Sequence, residues 1–187
     1  MHQVLTLDQG GRPSRWTSWE DALIYKVKGL IAWSLGDEMP YRGGTCKRTG
    51  EETIVLVPNI IALANEVYDG RIPLTNPNLF QRDDHTCCYC GQRFTRALLT
   101  REHIVPTSRG GPNTWMNCAT ACQECNGLKG NRLLEEIGWK LLYVPYVPNQ
   151  AEALILAGRN IQADQMDFLR NCLPVDSPLL LRESVLG

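Results

Sequence analysis

The 187-residue chain has no apolar run long enough to cross a bilayer and no N-terminal apolar stretch of the signal-peptide kind. Both absences lead to the expectation of a cytoplasmic protein without a membrane partner. Charge of one sign is missing too, since 19 Lys and Arg stand against 20 Asp and Glu for a net charge of −1. Such a chain raises no strong field for gripping a polyanion unaided. Histidine is scarce at three residues, so imidazole chemistry must fall to His2, His85 or His103. No internal repeat, phosphate loop, dinucleotide fingerprint or serine-hydrolase motif is found.

What is present is cysteine, and its spacing is informative. Cys87 pairs with Cys90 and Cys122 with Cys125 in two Cys-x-x-Cys knuckles. Two such knuckles place four thiolates around one tetrahedral ion, a closed structural zinc site with no open position. Gly91 eases the tight turn after the first knuckle. Cys88 could replace Cys87, but Cys-x-Cys spacing suits one ion less well, so Cys87, Cys90, Cys122 and Cys125 are the expected zinc ligands. The remaining Cys46, Cys88, Cys118 and Cys172 have no disulfide-framework spacing, which fits a reducing compartment. At 43% hydrophobic the chain can bury a core, as one domain or two small ones.

Between the knuckles, residues 98–105 (Leu-Leu-Thr-Arg-Glu-His-Ile-Val) form an apolar and β-branched run that Pro106 ends, and they read as a hairpin strand. Residues 108–113 are turn formers. Residues 115–120 return as a short second strand, and residues 122–129 make a short helix that Gly130 stops. The order is that of a ββα unit pinned by zinc.

This stretch resembles the HNH endonucleases, the ββα-metal nuclease family, in the branch clamped by four cysteines. The resemblance rests on Arg82-Asp83, Thr86-Cys87, Tyr89-Cys90-Gly91, Leu99-Thr100, Glu102-His103-Ile104-Val105-Pro106, Ser108-Arg109-Gly110-Gly111, Thr114-Trp115, Asn117, and Cys122 through Asn126 with Lys129-Gly130. It implies a metal-binding, DNA-binding hydrolase that leaves 5′-phosphate and 3′-hydroxyl ends. His103 would be the general base, a task suited to an imidazole's ordinary titration near neutrality. Glu102 and Asn126 would hold a catalytic divalent cation, magnesium or manganese, through oxygens. Asn117 would orient His103. The family more usually has Asp where this chain has Glu102. Adjacent residues of a regular strand face opposite ways, so Glu102 and His103 serve one site only if the backbone is irregular there or the scissile phosphate sits between them. Arg101, Arg109, Lys129 and Arg132 are the expected DNA contacts, Lys129 because it follows Asn126 by about one turn.

Positive charge is concentrated in this core. Residues 82–132 carry 7 basic and 4 acidic residues, against 8 and 9 before them and 4 and 7 after. Upstream, residues 4–8 alternate as a strand and a Gly-Gly-Arg-Pro turn follows. Ser18 caps a helix with Asp21 as acidic partner, and Ala22, Leu23, Val27, Leu30, Ile31 and Ser34 give it one apolar side that fades near Gly36. Residues 42–52 read as a loop, 53–57 as a strand and 60–67 as a helix. Arg12, Arg15, Arg42, Lys47 and Arg48 are candidate DNA contacts in this half, which weakly resembles the accessory region before the HNH core in small bacterial nucleases. Downstream, residues 133–142 continue as helix or turn, and Asn149 caps a helix over 150–157. A further helix covers 163–172, and Leu179-Leu180-Leu181 is a run able to dock.

The expectation is an α+β protein in three parts: an N-terminal α/β accessory region at 1–80, a zinc-clamped ββα-metal HNH nuclease core at 81–137, and short C-terminal helices at 138–187. One ββα unit cuts one strand, so the monomer is a nickase, and a double-strand break needs a homodimer or two events. A targeting partner protein is the other way to supply specificity. The alternative is a zinc-stabilised nucleic-acid-binding module without cleavage activity; RNA as substrate has no positive signal.

Overall fold

A computed structural model describes residues 2–180. Leu181, the last residue of the expected docking run, lies outside the described residues. The fold is mixed α and β. Its strands are β1 (Gln3–Leu7), β2 (Pro13–Ser18), β3 (Ile31–Thr45), β4 (Glu52–Leu63), β5 (Leu99–His103) and β6 (Cys118–Cys122). Its helices are α1 (Trp19–Val27), α2 (Asn76–Arg82), α3 (Gln123–Lys129), α4 (Leu134–Ile137), α5 (Gln150–Ala157) and α6 (Ala163–Asn171). Among the described residues no helix is long and apolar enough to cross a membrane.

The described residues group into two units, residues 71–149 and residues 2–70 together with residues 150–180. The grouping is not three consecutive parts, because α5 and α6 pack on the N-terminal sheet. That sheet has the order β2-β1-β4-β3, with β1 and β4 parallel and the other neighbours antiparallel. Alternation along the central strands serves both faces. Leu5, Leu7, Ile60 and Ala62 meet Ala151 and Leu154 of α5 and Leu169 of α6, while Val4, Val57, Ile61 and Leu63 pack with Ala22 of α1. Gln165 is fully buried and donates to the carbonyls of Gln3 (2.7 Å) and Asn59 (2.8 Å), tying α6 to the sheet.

Ser18 caps α1 as expected, accepting from the Asp21 N–H at 3.1 Å. The helix is shorter than its apolar pattern. It ends at Val27, and Ile31 and Ser34 lie in β3 instead. Val27 is 80% exposed, so the helical spacing that linked it to Leu30 and Ile31 marks no buried stripe. The expected helix at 60–67 is also corrected: Ile60 to Leu63 end β4, the strand between β1 and β3. A short run buried on both faces has no periodicity to separate helix from strand. The supposed loop at 42–52 narrows to residues 46–51, since Arg42 to Thr45 belong to β3 and Glu52 opens β4.

In the second unit α2 opens at Thr75, whose hydroxyl accepts from Asn78 N at 3.3 Å, and it buries Leu79 and Phe80 against Leu99, Trp115 and Cys118. Strands β5 and β6 pair antiparallel without a break from Leu99↔Cys122 to His103↔Cys118. The second strand therefore begins at Cys118 rather than Trp115, and α3 follows it directly and stops at Gly130.

Candidate functional site

Four sulfurs come together first. Cys87, Cys90, Cys122 and Cys125 have ligand atoms all within 4.8 Å of one another. A tetrahedral ion with Zn–S bonds of ~2.3 Å needs sulfurs about 3.8 Å apart, so this cluster can hold a metal such as zinc with little adjustment. The backbone makes the first knuckle by turning at Gly91, whose φ of 72° few side chains tolerate, with Gly91 N donating to Cys87 O at 3.0 Å. In the second knuckle Cys125 N points at Cys122 Sγ, 3.4 Å away. Burial first, and then contact with the Cys122 and Cys87 thiols, pushes the Cys125 thiol up. Cys88 is not part of the cluster. It is buried in the core, where its N–H reaches Thr120 O at 2.8 Å and its carbonyl accepts from Leu142 N at 3.0 Å.

Beneath the unit lies an ionic hub. Arg82 is 1% exposed and places all five of its N–H donors. Two go to Asp83 (2.7 and 3.1 Å), and the others to the carbonyls of Trp115 (2.8 Å), Cys118 (2.8 Å) and Tyr146 (3.0 Å). Asp83 in turn accepts from Thr120 N at 2.8 Å. The hub binds α2 to β6 and so sets where the strand presents its neighbours.

A cleft of about 230 Å³ opens at the C-terminal end of β5. It is lined by Glu102, His103 and Asn126 together, with Arg101, the 106–108 turn and residues 130–131 around them. The strand is regular here, so Glu102 and His103 do face opposite ways. The cleft takes in both because His103 is the last residue of β5 and the chain turns away just beyond it. Toward α3, Asn126 Nδ2 donates to Thr100 Oγ1 at 2.7 Å, which turns the amide oxygen away from that contact. Lys129 Nζ stands 2.6 Å from Glu102 Oε1 and donates to His103 O at 3.0 Å. The same Oε1 accepts from Tyr89 OH at 3.1 Å. Burial, then the nearby Cys88 thiol and the Glu102 carboxylate, push the Tyr89 phenol up, so it remains a donor.

On the other side of the strand His103 Nε2 meets Asn113 Oδ1 at 3.2 Å. The expected orienting residue, Asn117, is engaged elsewhere. Its Oδ1 accepts from Val105 N (2.9 Å) and its Nδ2 donates to the carbonyls of Val105 (3.0 Å) and Pro112 (2.9 Å). Asn117 thus fastens the turn that follows His103. Gly111 lies in the same turn, where any Cβ would fall on the Val105 carbonyl.

The four cations expected to contact DNA all have internal partners. Lys129 is 1% exposed and paired with Glu102, which is not the geometry of a surface phosphate contact. Arg101 reaches Asn76 (3.0 Å), Asn113 (2.9 Å) and the Leu74 carbonyl (3.0 Å). Arg109 pairs with Glu136 at 2.7 Å, and Arg132 donates to the carbonyls of Lys129 (3.1 Å) and Leu128 at the end of α3. Tyr89 and Asn113 were not foreseen as site residues. Tyr89 stood in the knuckle motif and Asn113 among turn formers, and neither position carries a local sign of a partner across the fold.

A search of curated proteins finds no match to the chain. Residues 87–142 match the family model described as HNH endonuclease, over the segment that holds the four-cysteine cluster and the cleft. That segment is similar to the HNH endonucleases, a likeness that points to nuclease activity on a nucleic acid.

Proposed function

We propose that the protein is a metal-dependent DNA endonuclease that hydrolyses one strand per site to 5′-phosphate and 3′-hydroxyl ends. The observation that carries this reading is the convergence of Glu102, His103 and Asn126 on one polar cleft within the family segment.

His103 takes the proton from the attacking water as general base. The hydroxide so formed attacks phosphorus, the bond to the 3′ oxygen breaks, and that oxygen takes a proton from solvent. The carboxylate of Glu102 and the amide oxygen of Asn126 are hard donors suited to magnesium or manganese. Tyr89 and Lys129 both meet Glu102 through Oε1, so Oε2 is the oxygen to offer a cation. When bound, that cation would neutralise charge on the phosphate oxygens and the leaving group. Asn117 holds the 105–112 turn against the cleft. The four cysteines hold zinc in a structural role, since no ligand position of a four-thiolate tetrahedron is left for chemistry. The monomer nicks. Arg42, Lys47 and Arg48, at and beside the turn joining β3 and β4, are the N-terminal candidates for DNA contact.

The deciding experiment is nicking of supercoiled plasmid by the zinc-loaded protein with Mg²⁺, Mn²⁺ or EDTA, beside His103→Ala. Cation-dependent nicking that disappears in the variant, with zinc content and circular dichroism unchanged, is the expected result. Equal nicking by the variant would overturn the role of His103. Inert protein that still binds DNA would favour the zinc-stabilised binding module instead.

A further inference from the structure

We infer that Asn113, held by Arg101, is the positioning residue of His103 and fixes its proton on Nε2, so that Nδ1 is the nitrogen that accepts from water. The last clause rests on the nuclease reading; the tautomer does not.

Three groups converge on Asn113 Oδ1: Arg101 Nη1 at 2.9 Å, His103 Nε2 at 3.2 Å and Cys118 Sγ at 3.5 Å. A guanidinium has donors and no acceptor. The amide must therefore turn its oxygen to Arg101, because the flipped amide would set N–H against N–H. With the oxygen so fixed, His103 Nε2 can only donate to it. A neutral imidazole carrying its proton on Nε2 has its lone pair on Nδ1, and the nitrogen free for chemistry is set by the bond that the other makes. Arg101 is itself held by Asn76 Oδ1 at 3.0 Å and the Leu74 carbonyl at 3.0 Å. The order of control runs from Leu74 and the first residue of α2, through Arg101 and Asn113, to the imidazole at the cleft. Asn117 cannot share this task, because its amide is occupied by Val105 and Pro112.

The test reads the tautomer directly. Long-range ¹H–¹⁵N correlation spectra of the zinc-loaded full chain, without added divalent cation, are recorded at about pH 8.5, where histidine side chains are ordinarily neutral. The chain has three histidines, and His103→Gln assigns the signal. The wild type is expected to show His103 as the single Nε2–H form. Asn113→Ala gives mixed tautomers, and Asn113→Asp, whose carboxylate still accepts from Nε2–H, restores the single form. In plasmid nicking, Asn113→Ala lowers kcat about tenfold with little change in KM, and Asn113→Asp recovers most of it. A wild-type His103 in the Nδ1–H form, or identical nitrogen shifts in wild type and Asn113→Ala, would overturn the inference. A locked tautomer in a protein that never cuts would instead leave Asn113 in place and refute the nuclease reading.

Discussion

Lys129 Nζ lies 2.6 Å from Glu102 Oε1, and both side chains are almost wholly buried. The pair joins α3 to β5 at the cleft, so a residue that spacing assigned to phosphate contact instead neutralises the Glu102 carboxylate. Removing one partner strands the other charge in the interior, where it costs far more than the pair was worth. Lys129→Met should therefore destabilise the protein by about 3 kcal/mol. Adding Glu102→Gln should recover part of the loss. Urea unfolding of the two single variants and the double variant measures the coupling, and a Lys129→Met protein as stable as wild type would show the pair to be dispensable.

Zinc should bind with release of protons. The Cys125 thiol is pushed up by burial and its neighbouring thiols, so it is protonated in the metal-free protein at neutral pH. Metal must displace that proton, and affinity should fall as pH falls. Adding zinc to the metal-free protein in weak buffer should acidify the solution, read with an indicator dye. Cys122→Ser should lose both the metal and the folded core; a stable, zinc-free, active Cys122→Ser protein would refute the structural-metal assignment.

Asn117→Ala should loosen the turn after His103. The substitution leaves Val105 N and the Val105 and Pro112 carbonyls without their side-chain partner. The cost is about 1 kcal/mol, since Val105 and Pro112 are exposed and water can replace part of what is lost. Zinc content should not change, because no ligand is touched, while nicking should fall. Gly111→Ala should do the same more severely, since its Cβ has no room beside the Val105 carbonyl. Thermal melts with metal analysis decide the matter: loss of zinc in Asn117→Ala would mean that the turn supports the knuckles as well.

Arg82→Lys keeps the charge and loses the fork. A lysine has three donors on one nitrogen and cannot reach Asp83 and three carbonyls at once. A loss of about 3 kcal/mol is expected, with the transition measured in urea. Full stability in this variant would mean that the cation's contacts with the Trp115 and Tyr146 rings matter more than its hydrogen bonds.

The sequence by itself determined what is local. A two-residue gap between cysteines brings two sulfurs to one ion whatever surrounds them, so the metal cluster could be read from spacing alone. The Ser18 cap, the stop at Gly130 and the β-β-α order between the knuckles are of the same kind, set by nearest neighbours along the chain. Tertiary structure decided which distant groups meet. Ile60 to Leu63 became a central strand because β1 and β3 flank them, a fact their own apolar run could not carry. The helices after Gln150 joined the first sheet because Leu154 and Leu169 found Leu5 and Leu7 there. Lys129 turned inward to Glu102, and Asn113 rather than Asn117 reached His103, because hydrogen-bond partners are chosen by distance in space. Residue type fixes what a side chain can donate or accept, and only packing fixes to whom.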